Sequence, residues 1–225
     1  MNDCIVVLNC GSSSIKFAMF DATLHPLPRV PMWSGKVEGI GTDHPTATEA
    51  GTPTQALALD SAQPYHAALM HIRRRVEHRL DGRRLMAVAH RVVHGGSKYF
   101  APVRVNADVL SDLRSYIPLA PLHQPFALEA IEALLSDLPD VPQVACFDTA
   151  FHRTLPQVET MLPLPYTAWE RGLRRYGFHG LSYEYMSIAL LERHGDIALG
   201  RTIVAHLGSG ASLCAMHGLK SAATT

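Results

Sequence analysis

The chain has 225 residues, 47% of them apolar and 18% charged, and its twenty basic and twenty acidic residues cancel. That is the balance of a globular protein able to bury a sizeable core, with no global field to draw nucleic acid or a membrane surface. The four cysteines, Cys4, Cys10, Cys146 and Cys214, form no CxxC pair and are too sparse for a disulfide scaffold, so they read as small buried hydrophobes in a reducing compartment. Met1-Asn2-Asp3 lacks the positive start of a secretory leader, and Cys4–Leu8 is too short to span a bilayer. The expectation is a cytoplasmic protein that handles small molecules.

In chain order, Ile5-Val6-Val7-Leu8 is a continuous apolar run, as in a central strand covered on both faces. Gly11-Ser12-Ser13-Ser14 is a turn signal and Ile15–Phe20 resumes a strand pattern, giving a strand-turn-strand unit with a polar tip. Residues 41–65, rich in Thr, Gly, Pro and Ala, read as a surface excursion. Leu69, Ile72, Val76 and Leu80 recur at near-helical spacing within Tyr65–Leu80, closed by Asp81-Gly82. Leu85–Val93 is a buried strand candidate, and Asn106 can cap a short helix through Leu113. Pro125 suits the first turn of a helix to about Leu138. Val141–Phe147 is a further strand with Asp148 at its carboxyl end, where open α/β sheets meet ligands. Ser182 can cap a helix to about His194, and Thr202–Leu207 begins another strand.

An internal echo bears on domain organisation. Val7–Phe20 can be laid on Val204–His217 with Val, Gly, Ser, Ala and Met identical at five of fourteen positions, where composition alone gives about one. Both segments have the form of an apolar strand, a Gly-Ser tip and a second apolar strand. Two such hairpins suggest two related α/β domains, at residues 1–150 and 151–225. With eight residues after His217 (225 − 217), the second would be truncated soon after its first hairpin.

The motifs that bear on chemistry are glycine- and serine-rich. Phosphate binding needs backbone N–H groups and small hydroxyls that approach closely. There is no GxxxxGK[ST] and no strand-to-helix GxGxxG, which argues against a P-loop NTPase and a dinucleotide fold. Gly208-Ser209-Gly210 fits either a plain hairpin turn or a phosphate loop. Asn9, Ser12, Ser13, Ser14 and Lys16 bring an amide, three hydroxyls and an amine to one tip. His90 and His94 lie four apart, but the glutamate of HExxH is missing and the surroundings read as strand, which disfavours zinc. Arg91 sits in an apolar run, either in a structural ion pair or aimed at phosphoryl or carboxylate oxygens. His179, between Gly177-Phe178 and Gly180, reads as a core histidine or as a functional residue on a glycine-flanked loop, and the glycines favour the loop.

Six segments occur together in order: Val7–Lys16, His90–Gly96, Pro121–Pro125, Phe147–His152, Arg175–Gly180 and His206–Ser212. In these the chain resembles the acetate kinases, of the acetate/sugar kinase, actin and heat-shock-chaperone ATPase superfamily. The resemblance implies a duplicated actin-like (ribonuclease H-like) ATPase fold, with the first domain nearly complete and the second truncated. It implies ATP + acetate to ADP + acetyl phosphate by direct in-line transfer with Mg²⁺ (Mn²⁺ as a substitute), in a homodimer when full-length. Asn9 would help hold the metal, and Ser12, Ser14 and Lys16 would line the phosphate path. Arg91 and His179 would contact the transferring phosphoryl group, and Asp148 would organise the metal and an arginine. Val93, Leu122 and Phe178, with Arg91, would hold the acid. His206, Gly208, Ser209 and Gly210 would face the nucleotide phosphates.

Gln124 and Ser209 stand where the family usually has Asn, Leu181 and Tyr183 replace the commoner Thr and His, and Ala223 replaces Asp. By the resemblance, a remainder beyond this chain would supply a second active-site arginine, a metal-binding glutamate, most of the adenosine pocket and much of the dimer interface. The chain alone is therefore expected to have little or no kinase activity and to expose apolar surface. The alternatives are a non-catalytic ligand-binding fragment, or a kinase for propionate or another short-chain acid.

Overall fold

The computed structural model describes residues 3–225; Met1 and Asn2, part of the leader argument, lie outside the described residues. The chain divides into two compact units, one holding the chain up to Val92 with Arg104–Ala145, the other Val93–Val103 with Cys146–Thr225.

The first unit is built on a sheet of order β5-β4-β3-β2-β1-β6-β8-β7. Its centre is the expected hairpin, β1 (Asp3–Cys10) and β2 (Ser14–Asp21), antiparallel with Asn9 opposite Lys16. After β3 (Trp33–Glu38), residues 41–65 are not simply a surface excursion: Thr46–Glu49 (β4) and Gln55–Ala56 (β5) extend the sheet. Thr46 and Thr48 are β-branched residues suited to a half-exposed edge. Glu49 secures that edge: it accepts from Arg75 Nε at 2.5 Å and Nη2 at 2.9 Å, and from Trp33 Nε1 at 3.2 Å. The Arg75 guanidinium holds this carboxyl below its usual range.

Arg75 belongs to α1 (Pro64–Leu80), which ends as expected with Asp81 in the left-handed region and Gly82 at φ 77°. The crossover returns as β6 (Arg84–Val92), parallel to β1 with His90 aligned on Leu8. The short β7 (Val103–Arg104) precedes α2 (Ala107–Ser115), which begins where Asn106 Oδ1 accepts the Val109 N–H at 2.9 Å. Pro125 lies in the first turn of α3 (Gln124–Asp137), and β8 (Gln143–Phe147) delivers Asp148 at its carboxyl end.

The core corrects one sequence expectation. Along β1 burial alternates: Cys4, Val6, Leu8 and Cys10 are buried, while Ile5, Val7 and Asn9 are partly exposed. The buried face packs with Tyr65, Leu69, Ile72 and Val76 of α1 and Ala130 and Leu134 of α3. β6 alternates in the same way, with Val88, His90 and Val92 buried and Arg91 partly exposed.

The second unit contains the short helices α4 (Gln157–Thr160) and α5 (Tyr166–Glu170), then α6 (Gly180–His194) and the sheet β11-β10-β9. Its strands are β9 (Arg201–Leu207), β10 (Ala211–His217) and β11 (Lys220–Thr224), with Tyr183, Cys214 and Met216 in a small core. The echo is real and differs by one residue. Four residues separate the last pair Cys10↔Ile15, but three separate Leu207↔Ala211. A one-residue shift exchanges the faces of a strand. Thr202, Val204 and His206 therefore turn inward in β9, while Ile203 and Leu207 are 76% and 81% exposed.

All four cysteines are free thiols; Cys4, Cys10 and Cys214 are buried, and Cys10 is pushed up to about 12 by burial. Burial also raises Cys4, Cys146 and Cys214. Among the described residues no helix is long and apolar enough to cross a membrane.

Two outcomes are expected from these elements. Asn106→Ala removes the cap of α2 and lowers the free energy of unfolding by about 1 kcal/mol in urea titrations. His90 is 1% exposed, its Nε2 donates to Gln143 Oε1 at 2.8 Å, and burial pushes its pKa down from 6.5 to about 4. Between those values the unfolded chain binds a proton that the folded chain does not. Stability from His90 is thus complete above pH 6.5 and falls as pH drops towards 4, by up to about 1.4 kcal/mol per pH unit. His90→Gln flattens the measured slope of unfolding free energy against pH in that window by up to about one proton.

Candidate active site

In the first unit, pairing determines which polar residues share a face. Asn9 is directly opposite Lys16, on the face of β1 away from the buried Leu8 and Cys10. His90 is aligned with Leu8, so its neighbour Arg91 falls on the Asn9 face, and Arg91 Nη1 donates to Asn9 Oδ1 at 3.1 Å. The amide of Asn9 is thus one partner of this guanidinium. The tip closes where Gly11 N–H donates to Ser14 O at 2.8 Å, leaving Ser12, Ser13 and Lys16 exposed. A guanidinium, an ammonium, an amide and hydroxyls therefore gather around the carboxyl ends of β1 and β6. Such a set suits oxyanions, and the amide oxygen is a hard donor for a cation.

In the second unit, Asp148 is 1% exposed and its main-chain oxygen accepts the Gly180 N–H at 2.8 Å. That approach requires glycine, because a Cβ at position 180 would lie 2.1 Å from the Asp148 oxygen. Gly177 is constrained too, since its Cβ would meet the His152 ring at 2.4 Å. His152 Nε2 donates to the Phe178 carbonyl at 3.0 Å, so Nδ1 accepts from the Ser221 hydroxyl at 2.8 Å. Burial lowers the His152 pKa and keeps this ring in its neutral form. Between these anchors His179 is held at φ 56°, an uncommon conformation for a residue with a side chain.

His179 also corrects the start of α6. Ser182 was the expected cap, but His179 occupies that position with no side-chain cap bond, and Ser182 Oγ bonds His206 Nδ1 at 3.0 Å. The His179 and His206 rings stack with centroids 4.2 Å apart and planes at 17°. His179 Nδ1 bonds Ser212 Oγ at 2.8 Å, and Ser212 also bonds the Tyr183 hydroxyl. Burial raises the Tyr183 phenol, opposed by the Ser212 hydroxyl and the His206 backbone N–H. Both Nε2 atoms lie over the glycine tip. A Cβ at Gly210 would sit 3.4 Å from His179 Nε2, and one at Gly208 would sit 3.6 Å from His206 Nε2.

The structure thus brings His179, His206, Gly208 and Gly210 together, with Ser209 at the apex of the same turn. Val93 and Phe178 are partly buried in this unit. His94 packs edge-on against Tyr176 at 4.4 Å and Phe178 at 5.9 Å. It accepts the Gly96 N–H on Nδ1 at 2.8 Å, and burial pushes its pKa down to about 4. Leu122 lies in the first unit, 73% exposed, on the turn before α3. Gln124 is fully buried, and its side chain donates to Leu113 O at 3.4 Å. Among the described residues no group of three or more His, Cys, Asp and Glu could hold a metal ion.

Four residues that hold this site were not assigned to it from the sequence, Ser182 having been read as a helix cap. Ser182, Ser212 and Tyr183 orient the two imidazoles, and His152 ties down the Phe178 carbonyl. The signals were faint: Ser212 and His152 lay inside quoted motifs, and Tyr183 stood out only as a departure.

Known proteins match this chain over nearly its whole length. The Acetokinase family profile covers residues 4–225. An acetate kinase of Rhodopseudomonas palustris is 44% identical over 228 aligned residues, spanning 100% of this chain and 57% of the relative. One from Nitrobacter hamburgensis is 46% identical, spanning 99% and 56%. The crystal structure of Porphyromonas gingivalis acetate kinase superposes with a TM-score of 0.80 at 33% identity, covering 99% of this chain and 57% of that one. A propionate kinase from Francisella tularensis gives 0.83 at 34%, with the same coverage. The chain spans little more than half the length of these relatives, and it belongs to the Acetokinase family.

Proposed function

We propose that this chain supplies the acid-binding and part of the nucleotide-binding machinery of a kinase that phosphorylates acetate with ATP, giving ADP and acetyl phosphate. The observation that carries the reading is the stacked His179–His206 pair, with each Nδ1 engaged by serine and each Nε2 over the Gly208–Gly210 turn. Two fixed imidazoles over a turn without side chains suit phosphoryl oxygens.

Acetate is ionised at neutral pH, so its attack on the γ-phosphorus needs no general base. The requirement is charge stabilisation and in-line placement. Arg91, held by Asn9, and His179 through Nε2 contact the equatorial oxygens of the transferring group. Ser12, Ser14 and Lys16 line its path, and His206, Gly208, Ser209 and Gly210 face the nucleotide phosphates. The Asn9 carbonyl oxygen and the buried Asp148 carboxylate are hard oxygen donors that fit Mg²⁺ or Mn²⁺. A bound cation would neutralise charge on the phosphates. Val93, Leu122 and Phe178 receive the methyl group. In this reading residues 1–150 form the phosphate and acid side and residues 151–225 the nucleotide side, in a cytoplasmic enzyme that is a homodimer when full-length.

Propionate is the second reading, favoured by the Francisella propionate kinase neighbour. A small apolar pocket separates acids differing by one methylene by only about 1–3 kcal/mol. The chain covers 57% of its R. palustris relative, and we assign negligible turnover to it alone.

The test joins this chain to the remaining carboxyl-terminal part of the R. palustris acetate kinase and traps acyl phosphate with hydroxylamine. The expected result is ATP- and Mg²⁺-dependent acetyl hydroxamate from the chimera, none from the 225-residue chain alone, and a loss of roughly 100-fold or more with Arg91→Ala. A chimera that folds and yields no acyl hydroxamate would overturn the assignment. Gly210→Ala is expected to leave folding intact, because the new methyl meets His179 Nε2 at an ordinary 3.4 Å. It fills the space for a phosphoryl oxygen and raises the KM for ATP by about tenfold, roughly 1.4 kcal/mol, measured by steady-state kinetics on the chimera.

A further inference from the structure

A second cluster of positive charge lies in the 146–225 unit, apart from the groups assigned to phosphoryl transfer. Arg153, Arg174 and Arg175 line a cleft of about 240 Å³, together with the aromatic residues Phe100, Trp169 and Tyr176. No aspartate or glutamate lines it. The guanidiniums of Arg153 and Arg174 are held by carbonyl oxygens: Arg153 Nη1 donates to Phe100 O at 3.3 Å, and Arg174 Nη2 to Trp169 O at 3.1 Å. The Arg174 guanidinium lies 4.3 Å from the centre of the Trp169 ring, and its Nε is buried with no hydrogen-bond partner. Three like charges around one cleft repel each other, and a buried N–H without an acceptor is costly. An anion between them would relieve the repulsion.

We infer that this cleft is a binding site for a small organic phosphate, distinct from the substrates of the proposed kinase reaction. Arginine forks match phosphate oxygens, and three of them suit a dianion better than a single carboxylate. At about 30 Å³ per water, the volume corresponds to roughly eight waters, more than a phosphoryl group alone fills. The flat faces of Trp169 and Tyr176 would receive the carbon portion. The cleft also touches the catalytic loop. His152 and Gly177 line it, and His152 holds the Phe178 carbonyl one residue before His179. Occupancy would therefore stiffen the segment that carries His179, which makes the ligand an effector.

The inference is tested by titrating phenyl phosphate into the chain labelled with 15N-arginine, following side-chain Nε–Hε signals by NMR, with sodium chloride at matched ionic strength as the control. The Arg174 signal, assigned by its loss in Arg174→Lys, should shift along a saturable curve shared with Arg153. That curve should persist in Arg91→Ala and weaken at least fivefold in Arg153→Gln, while thermal unfolding of each variant followed by circular dichroism matches that of the unsubstituted chain to report an intact fold. Shifts no larger than those from sodium chloride would overturn the inference, and so would a curve indifferent to Arg153→Gln. A curve abolished by Arg91→Ala would overturn it as well, by placing the ligand in the kinase site. None of these readings requires turnover, so failure of the kinase assignment would leave them interpretable.

Discussion

The second unit depends on a place where a side chain must be missing. Gly180 donates its N–H to the Asp148 main-chain oxygen at 2.8 Å, and any Cβ there would overlap that oxygen. This contact ties the end of β8 to the start of α6. It forces the chain just before α6 into a left-handed turn, and His179 occupies it at φ 56°. A residue in that conformation persists only where its surroundings over-determine it. The surroundings here are the His152–Phe178 bond, the Ser212 bond to Nδ1 and the stack on His206. Several weak constraints thus fix one imidazole, and the least replaceable is an absent methyl group.

The two hairpins show how little sequence change separates two uses of one device. Both present a glycine-led tip between apolar strands. In the first, a four-residue tip leaves Asn9 and Lys16 paired on the partly exposed face, within reach of Arg91. In the second, removing one residue reverses the inward face of β9 and turns His206 towards Ser182 and His179. The same turn chemistry thus serves a flexible ammonium in one unit and a fixed imidazole in the other.

Much of this was legible in the sequence because it rests on local rules. The cap at Asn106, the left-handed close of α1, Pro125 at the start of α3 and Asp148 at the end of β8 each follow from one or two residues. The segment 41–65 was misread because its strands are short edge pieces, stabilised by Glu49 reaching Arg75 twenty-six positions away. The alternation of β1 was hidden because Ile5 and Val7 are apolar without being buried. Ser182 had the right identity for a cap, but its hydroxyl is engaged by His206, a partner twenty-four residues on. The proposed site residues stand in motifs visible in the sequence, whereas the residues that orient them are set by tertiary contacts that no local pattern carries.

One consequence follows from the cysteines. Only a thiolate attacks an alkylating or oxidising reagent at an appreciable rate. Burial raises the pKa of all four thiols here, with Cys10 at about 12, so the native chain presents almost no thiolate at neutral pH. Cys4 and Cys10 lie in the first unit, and Cys146 and Cys214 lie in the second. Cys4 and Cys10 in the first unit and Cys214 in the second are therefore dormant nucleophiles that awaken only on opening, and the order in which they are modified is a clock for which unit opens first.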